Sequence, residues 1–441
     1  MGWIDFSRIL YYVLASLGGV ALIRAAVRNK NGALGIVWIS FFYIALVIGI
    51  YKYCFLNEAD VFKKLVEGVF DSAKVSVMDV ALPLAGTMVF FLGLMTIAEK
   101  AGAVNWLARL LNPFMTRLFP EVPDNHPAMG QMIMNFSANM LGLDNAATPF
   151  GLKAMESLQS LNKDKETASN AQIMFVILHT SGLVLIPLSI ISYRLTANSA
   201  NPASVFIPCV LGTVCTTLAA ILVISLRQRL KWDWVLFAWM LGISALVAIM
   251  SIAVGSMDGE QKNVFSKVAG NLVLLILIVA IIAGGVWKKV NVFDAFVEGA
   301  KGGFEVVLKI LPYLVGMLVA IRVFRESGAL TYITDALSVL IGYTGVNTDF
   351  VPALPVAIMK PFSGGGARGM MLDTMKVAGP DSFVGQLACV FHGSADSTFY
   401  IVAVYFGSVG IKKVRYAISM GLLAELIGVI AAIFIAYIFF H

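Results

Sequence analysis

The sequence predicts an all-α polytopic membrane protein built from two homologous repeats of about 220 residues each. Composition is the first observation behind this. Hydrophobic residues make up 59% of the chain and charged ones 13%, where a soluble domain carries about 25% charged residues. Mean hydropathy is +0.85. Apolar stretches long enough to cross a bilayer recur throughout, which is the second observation. The third is self-similarity. Val61-Phe62-Lys63-Lys64-Leu65-Val66-Glu67-Gly68 returns as Val292-Phe293-Asp294-Ala295-Phe296-Val297-Glu298-Gly299. Gly102-Ala103 returns as Gly328-Ala329, Phe136-Ser137 as Phe362-Ser363, and the stretch around His179 as the stretch around His392. Repetition on this scale in an apolar chain is a signature of transporters built around a central site.

The first repeat takes residues 1–230, with spanning helices expected at about 9–27, 34–54, 76–98, 172–193 and 203–226. The second takes residues 231–441, with spans at about 233–255, 269–287, 306–324, 383–405 and 416–440. About 10 spans, five per half, is an odd number per repeat, so the second copy enters the membrane upside down. The first apolar stretch lacks a basic leader and reads as a retained helix rather than a cleaved signal. Basic clusters such as Arg24, Arg28 and Lys30, or Arg227, Arg229 and Lys231, flank apolar segments. The net charge of +6 is therefore a topology signal and not a nucleic-acid one. The bias of these clusters places the N-terminus outside. The four cysteines, Cys54, Cys209, Cys215 and Cys389, show no paired spacing.

Between the third and fourth spans each half carries a segment that is not ordinary loop. Residues 103–118 and 330–342 are amphipathic and read as interfacial helices or as helices packed across a bundle, as does the repeated Val-Phe-x-x-x-Val-Glu-Gly segment. Met129–Met140 is apolar but too short to cross alone. It runs into Leu141-Gly142-Leu143-Asp144-Asn145-Ala146-Ala147-Thr148-Pro149. Val351–Met359 runs likewise into Lys360-Pro361-Phe362-Ser363-Gly364-Gly365-Gly366-Ala367-Arg368-Gly369. A short apolar arm, a polar break and a returning arm describe a re-entrant hairpin. Broken backbone at membrane depth is tolerated where it lines a cavity or is buried in protein.

Asn135, Ser137, Asn139, Asp144, Asn145 and Thr148 crowd the first break. Such residues also make plain turns, yet Ser137 and Asn139 sit within the apolar arm, where an unpaired polar group is costly. Lys360 and Arg368 flank Gly364-Gly365-Gly366 at the second break. This reads either as an anion-binding nest with two cations or as a glycine-rich surface turn. His179 and Ser181 in the first half match His392 and Ser394 in the second, which extends to Asp396, Ser397 and Thr398. Four residues apart on one helix face, His392 and Asp396 would form a titratable pair. Satisfaction of each histidine by helix packing is the other reading. Glu425 stands alone in the last span, and Arg322, isolated in its own, is its expected partner, for structure or for ion coupling. Asp79 has Lys74 nearby.

No Gly-Lys dipeptide occurs, so the chain has no phosphate-cradling nucleotide loop, and it has no Gly-x-Ser-x-Gly elbow. No helical His-x-x-x-His marks a metal site. The chain is expected not to be an enzyme, with no cofactor and no resident metal. Its partners are expected to be a small solute, a coupling ion (H+ or Na+), membrane lipids and a second copy of itself.

Asn135-Phe136-Ser137-Ala138-Asn139-Met140-Leu141-Gly142-Leu143-Asp144-Asn145 and the following Ala146-Ala147-Thr148-Pro149-Phe150-Gly151 resemble the signature of spore maturation protein A. Lys360-Pro361-Phe362-Ser363-Gly364-Gly365-Gly366-Ala367, Gly379-Pro380-Asp381-Ser382-Phe383 and His392-Gly393-Ser394-Ala395-Asp396-Ser397-Thr398-Phe399-Tyr400 resemble spore maturation protein B. The resemblance covers nearly the whole chain and looks like a natural fusion of the two. It implies the nucleoside-recognition or "Gate" domain, shared with concentrative nucleoside transporters and ferrous-iron transporters. It also implies a solute-conducting or solute-gating role, with substrate at hairpin tips and broken helices. Iron transport is disfavoured by the missing nucleotide loop. The leading expectation is thus a secondary transporter or channel for a small polar, anionic or nucleoside-like solute. A non-transporting scaffold or sensor of the cell envelope or spore maturation is the alternative, and an intramembrane enzyme built on His392 and Asp396 a distant third.

Overall fold

The computed structural model describes residues 33–123, 126–142 and 144–441, all helix, turn and loop apart from one isolated bridge between Thr167 and Lys413. The expected first span, 9–27, lies outside the described residues. Eight helical stretches among the described residues are long and apolar enough to cross a membrane. The chain is thus a multi-pass membrane protein.

Helix α1 (Ala33–Phe55) leads into α2 (Val61–Lys100), which runs without interruption through a π-helical turn at Ser76–Ala81. The turn has a local cause. Pro83 has no N–H to give to the carbonyl four residues back, and a wider turn absorbs the misfit. The second half answers with α11 (Val292–Glu326), which also carries an internal proline, Pro312. The repeated Val-Phe-x-x-x-Val-Glu-Gly segment is therefore no separate interfacial helix. In both halves it is the first part of a long helix. At 1.5 Å per residue, α2 is about 60 Å long, twice the hydrocarbon thickness of about 30 Å, so it is tilted or projects from the bilayer.

Equivalent helices of the two halves pack against one another, and they run antiparallel. Gly68 of α2 faces Arg322 of α11, Gly93 faces Phe296, and Val89 faces Gly303. As the residue number rises along one helix it falls along the other. At Gly303 a Cβ would stand 2.6 Å from the backbone N and Cα of Val89, so only glycine permits this approach. The same relation holds between α8 (Phe206–Gln228) and α17 (Ala417–Phe440): Leu211 clusters with Ile435 and Phe439, Thr216 meets Gly428, and Ala220 and Ile224 cluster with Ala417 and Ala424. Repeats related by an axis along the membrane normal would pair these helices in parallel. An antiparallel pairing is what an inverted repeat demands.

Around this frame sit α3 (Ala103–Leu118), α4 (Pro127–Met140) and α5 (Asp144–Leu161) in the first half. The amphipathic reading of α3 holds: Leu107, Leu111, Phe114 and Leu118 are buried and Trp106 is exposed. Helices α4 and α5 form the first re-entrant hairpin. The expected fourth span, 172–193, is broken. It becomes α6 (Asn170–Thr180), started by a Ser169–Gln172 capping box, and α7 (Leu188–Thr196). Gly182 in the left-handed region (φ +60°) and Pro187 stop the helix between them.

In the second half α9 (Trp234–Gly255) and α10 (Gly259–Trp287) lie at the periphery, with most of their apolar surface exposed. That surface is what lipid tails cover. Helix α12 (Ala329–Gly342) precedes the second hairpin, α13 (Leu354–Met359) and α14 (Gly364–Ala378). The expected span 383–405 is also broken, into α15 (Phe383–Gly393) and α16 (Thr398–Ser408).

Candidate functional site

The three glycines at the second hairpin do not interrupt a helix. The chain reverses at Lys360–Ser363, and Gly364, Gly365 and Gly366 are the first turn of α14. The Ser363 hydroxyl accepts a hydrogen bond from the Gly366 N–H at 3.0 Å. A serine cap and the close packing of Gly366 against Met359 and Met317 start the helix here despite the poor helix propensity of glycine. The helix N-terminus, with its unspent amides and positive dipole end, therefore sits at the hairpin tip beside Lys360 and Arg368.

Each hairpin tip is held by the helix break of its own half. The Leu185 N–H donates to the Met140 carbonyl at 2.8 Å, and the Phe399 N–H donates to the Pro361 carbonyl at 3.0 Å. The two breaks also meet. The Asp396 N–H donates to the Thr180 carbonyl at 2.8 Å, and Gly182 approaches so closely that a Cβ would lie 3.0 Å from the Asp396 nitrogen. Backbone groups released by broken helices thus bond across the junction of the halves, which is how irregular backbone survives at membrane depth.

A cavity of about 540 Å³ opens at this crossing. Asn139 and Gly142 reach it from the first hairpin, and Lys360, Gly364 and Arg368 from the second. His392 and Asp396 reach it from the second break. Gly182, Val184 and Pro187 of the first break and Ser189 and Ile190 of α7 add to the wall, and the α2–α11 pair completes it, with Thr96, Glu99 and Glu298 towards one end, where Lys100 bridges Glu298. Cations stand at the hairpin end and acids on the opposite wall. The site is asymmetric, since the first hairpin brings Asn139 and Gly142 to it where the second brings Lys360, Gly364 and Arg368. Thr96, Glu99 and Glu298 were not read from the sequence as site residues. Thr96 and Glu99 lie at the end of what reads as a plain span and Glu298 in a segment that reads as an interfacial helix, and nothing local marks which face meets a hairpin tip.

Other expected site residues lie elsewhere. His179 is buried behind the first hairpin, where its Nδ1 is 3.0 Å from the Asn135 Oδ1 and its Nε2 3.4 Å from the Tyr405 hydroxyl. Asn135 donates in turn to the Ala147 carbonyl at 2.7 Å. This group locks hairpin, broken helix and second half together, and none of the three lines the cavity. Ser137 is buried with its hydroxyl unpartnered. Ser181 donates to Leu178 and contacts Thr217, and Ser394 donates to Phe391, so both hydroxyls serve their own surroundings. Thr148 is exposed on α5, which begins at Asp144 and Asn145. Ser397 is buried and unpartnered, with its Oγ 3.3 Å from where a Cβ on Gly364 would be.

Two expected pairs do not form. His392 and Asp396 share no helix face, because α15 ends at Gly393. Among the described residues no hydrogen bond joins them, and the His392 Nδ1 is buried without a partner. Arg322 does not reach Glu425. It pairs with Glu326 one turn on, at 3.0 Å, and lines a different cavity. Glu425 is buried with both carboxyl oxygens unpartnered, facing Thr398 and the charge of Lys360. Asp79 lies exposed in the π turn, which places it at the same second cavity as Arg322.

A clamp that the sequence did not reveal fastens the halves on one side. Arg194 of α7 is wholly buried and gives hydrogen bonds to the Pro202, Asn201 and Pro380 carbonyls and to Asp381 at 2.7 Å. Burial pushes the Asp381 carboxyl up, but the Ser199 hydroxyl, the Ala200 N–H and Arg194 outweigh it and hold it below the ordinary carboxylate value. The other half answers with Arg415, which donates to the Ala168 carbonyl and Asn170, and with the Lys412–Glu166 bridge.

A family model described as Gate, nucleoside recognition, matches residues 81–197 and 307–412. Spore maturation protein B of Bacillus subtilis (strain 168) is 50% identical over 165 residues, covering 37% of this chain and 91% of that protein. Spore maturation protein A of the same organism is 38% identical over 188 residues, covering 43% of this chain and 92% of that protein. Both hairpins and both broken helices fall inside the two matched segments, and the chain belongs to the Gate, or nucleoside recognition, family together with the spore maturation proteins A and B.

Proposed function

We propose that this chain is a secondary transporter or channel of the cytoplasmic membrane, N-terminus outside, for a small polar solute carrying an anionic group. The observation that carries the reading is a cavity shared by both hairpin tips and both helix breaks. Lys360, Arg368 and the amides opening α14 hold the negative group there. Glu99 and Asp396 take hydroxyl or amine donors on the rest of the solute, and Asn139 offers both donor and acceptor. A nucleoside-like solute with an acidic group fits this division. The chain performs no covalent chemistry and uses no cofactor. Its energy comes from the solute's own gradient or from H+ or Na+, with Glu425 as the carboxyl that an ion would engage. It works in lipid, alone or as a homo-oligomer.

Comparison of metabolites in cells with and without the gene identifies candidate solutes, and uptake into proteoliposomes tests each. Lys360→Ala and Arg368→Ala are expected to abolish uptake while leaving protein level unchanged. Normal uptake, or a normal cellular phenotype, in both variants would remove the site proposed here and leave a non-transporting scaffold as the better reading.

A further inference from the structure

A second cavity, of about 340 Å³, is lined by Asp79, Asn198, Arg322, Asp373 and Lys376. It sits on the same four helices as the first. Along α2, Met88 lines the first cavity and Val80 the second. Along α7 the change comes between Ile190 and Thr196, along α11 between Val306 and Leu318, and along α14 between Arg368 and Leu372. Between the two cavities each helix turns buried residues inward: Leu84 and Ala85 on α2, Ile191 and Tyr193 on α7, Leu314 and Met317 on α11, and Met370 and Met371 on α14. Leu84, Tyr193 and Met317 belong to one packed cluster. Met317 lies over the glycines of α14, with its side chain 3.2 Å from a Cβ position on Gly366 and on Gly369. Arg368, at the edge of this layer, holds its guanidinium 5.4 Å from the Tyr193 ring centre.

The layer is thin. One turn of α14, about 6 Å, separates Arg368 from Leu372. The outer ends are far apart, however. Glu99 at the end of the first cavity and Asp79 at the second are twenty residues apart on α2, about 30 Å, the thickness of the hydrocarbon core. The two ends are thus separated along α2 by about one hydrocarbon thickness. In the second cavity, the Arg322 Nε is buried without a hydrogen-bond partner, although the far end of the same guanidinium pairs with Glu326. Such a donor is left for an acceptor that enters.

We propose that the second cavity is the opposite vestibule of the same solute path, with Arg322 as its receiving group for the solute's anionic end. The barrier between the two is the layer of Leu84, Tyr193 and Met317 closed onto Gly366 and Gly369. The inference rests on the transport reading, but its test does not need the solute.

In a variant with Cys54, Cys209, Cys215 and Cys389 replaced, Ser189→Cys reports the first cavity and Asn198→Cys the second, both on or next to α7. The probe is a membrane-impermeant charged thiol reagent added to one face of oriented vesicles. The two cysteines should react from opposite faces only. Adding Met317→Ala, or Leu84→Ala should Met317→Ala misfold, should let Ser189→Cys react from both faces. Labelling of both reporters from one face overturns the proposal, and so does one-sided labelling of Ser189→Cys that survives in a folded barrier variant. If uptake assays fail but this labelling pattern is found, the transport reading falls and the path stands. If uptake succeeds without the pattern, the path lies elsewhere.

Discussion

Two histidines at equivalent places in the repeat have opposite surroundings, and the difference shows how much of a site single residues reveal. Asn135 and Tyr405 engage both ring nitrogens of His179, whereas His392 lines the main cavity with Nδ1 unpartnered. His179→Ala is therefore expected to destabilise the protein by about 1–3 kcal/mol, because it strands buried polar partners, and to leave solute affinity nearly intact. His392→Ala should do the reverse, weakening solute binding with little change in the thermal unfolding midpoint. Thermal unfolding of the purified protein, with and without solute, separates the two; equal destabilisation by both would refute the assignment. The sequence marked both histidines because they recur in the repeat. It could not rank them, since Tyr405 comes from the other half and leaves no local signal near His179. Lys360 and Arg368 stood out as charges beside a glycine run between apolar arms, but the sequence left a glycine-rich surface turn open there, and the structure brings both to the cavity.

Helices tell a similar story of partial legibility. Both hairpins were readable, because an apolar arm of a dozen residues cannot cross a bilayer. The breaks in 172–193 and 383–405 were not, since hydropathy averages over a window and His-Thr-Ser-Gly or Gly-Ser-Ala-Asp is short. What betrays them in hindsight is chemistry: Gly182 and Pro187 in one, and Gly393 followed by Ser-Ala-Asp-Ser in the other. The α2–α11 contact adds a constraint at this scale. Gly303→Ala, ordinarily a mild change in a helix, should here cost about 1–3 kcal/mol, as overpacking does, because the new methyl meets Val89 backbone rather than a side chain that can move. Gly302→Ala, with nothing within 4 Å of its Cβ position, is the matched control and should be neutral or slightly stabilising. Equal unfolding midpoints for the two variants would contradict the packing described.

At the scale of the whole molecule the antiparallel pairing of α2 with α11 fixes a topology. The loops that precede these helices, around Glu58 and around Lys289, must lie on opposite faces of the membrane. Small epitope tags at the two positions should be protected from impermeant labels on opposite sides, and tags reached from the same side would exclude an inverted repeat. The five-span count per half and the charge bias pointed this way in advance. Which helices would meet across the pseudo-symmetry axis was not readable, because it depends on glycines whose partners lie more than 200 residues away. The clamps of Arg194 with Asp381 and of Arg415 with Ala168 carry one more consequence. Each half supplies a socket for the other, at both ends of the broken helices, and each half alone encloses only part of the cavity wall. The few residues joining α8 to α9, Arg229–Asp233, are consequently not what holds the halves together, although Asp233 also caps α9 and bridges Arg117. Carried on one chain, the two interlocked parts are made in equal number.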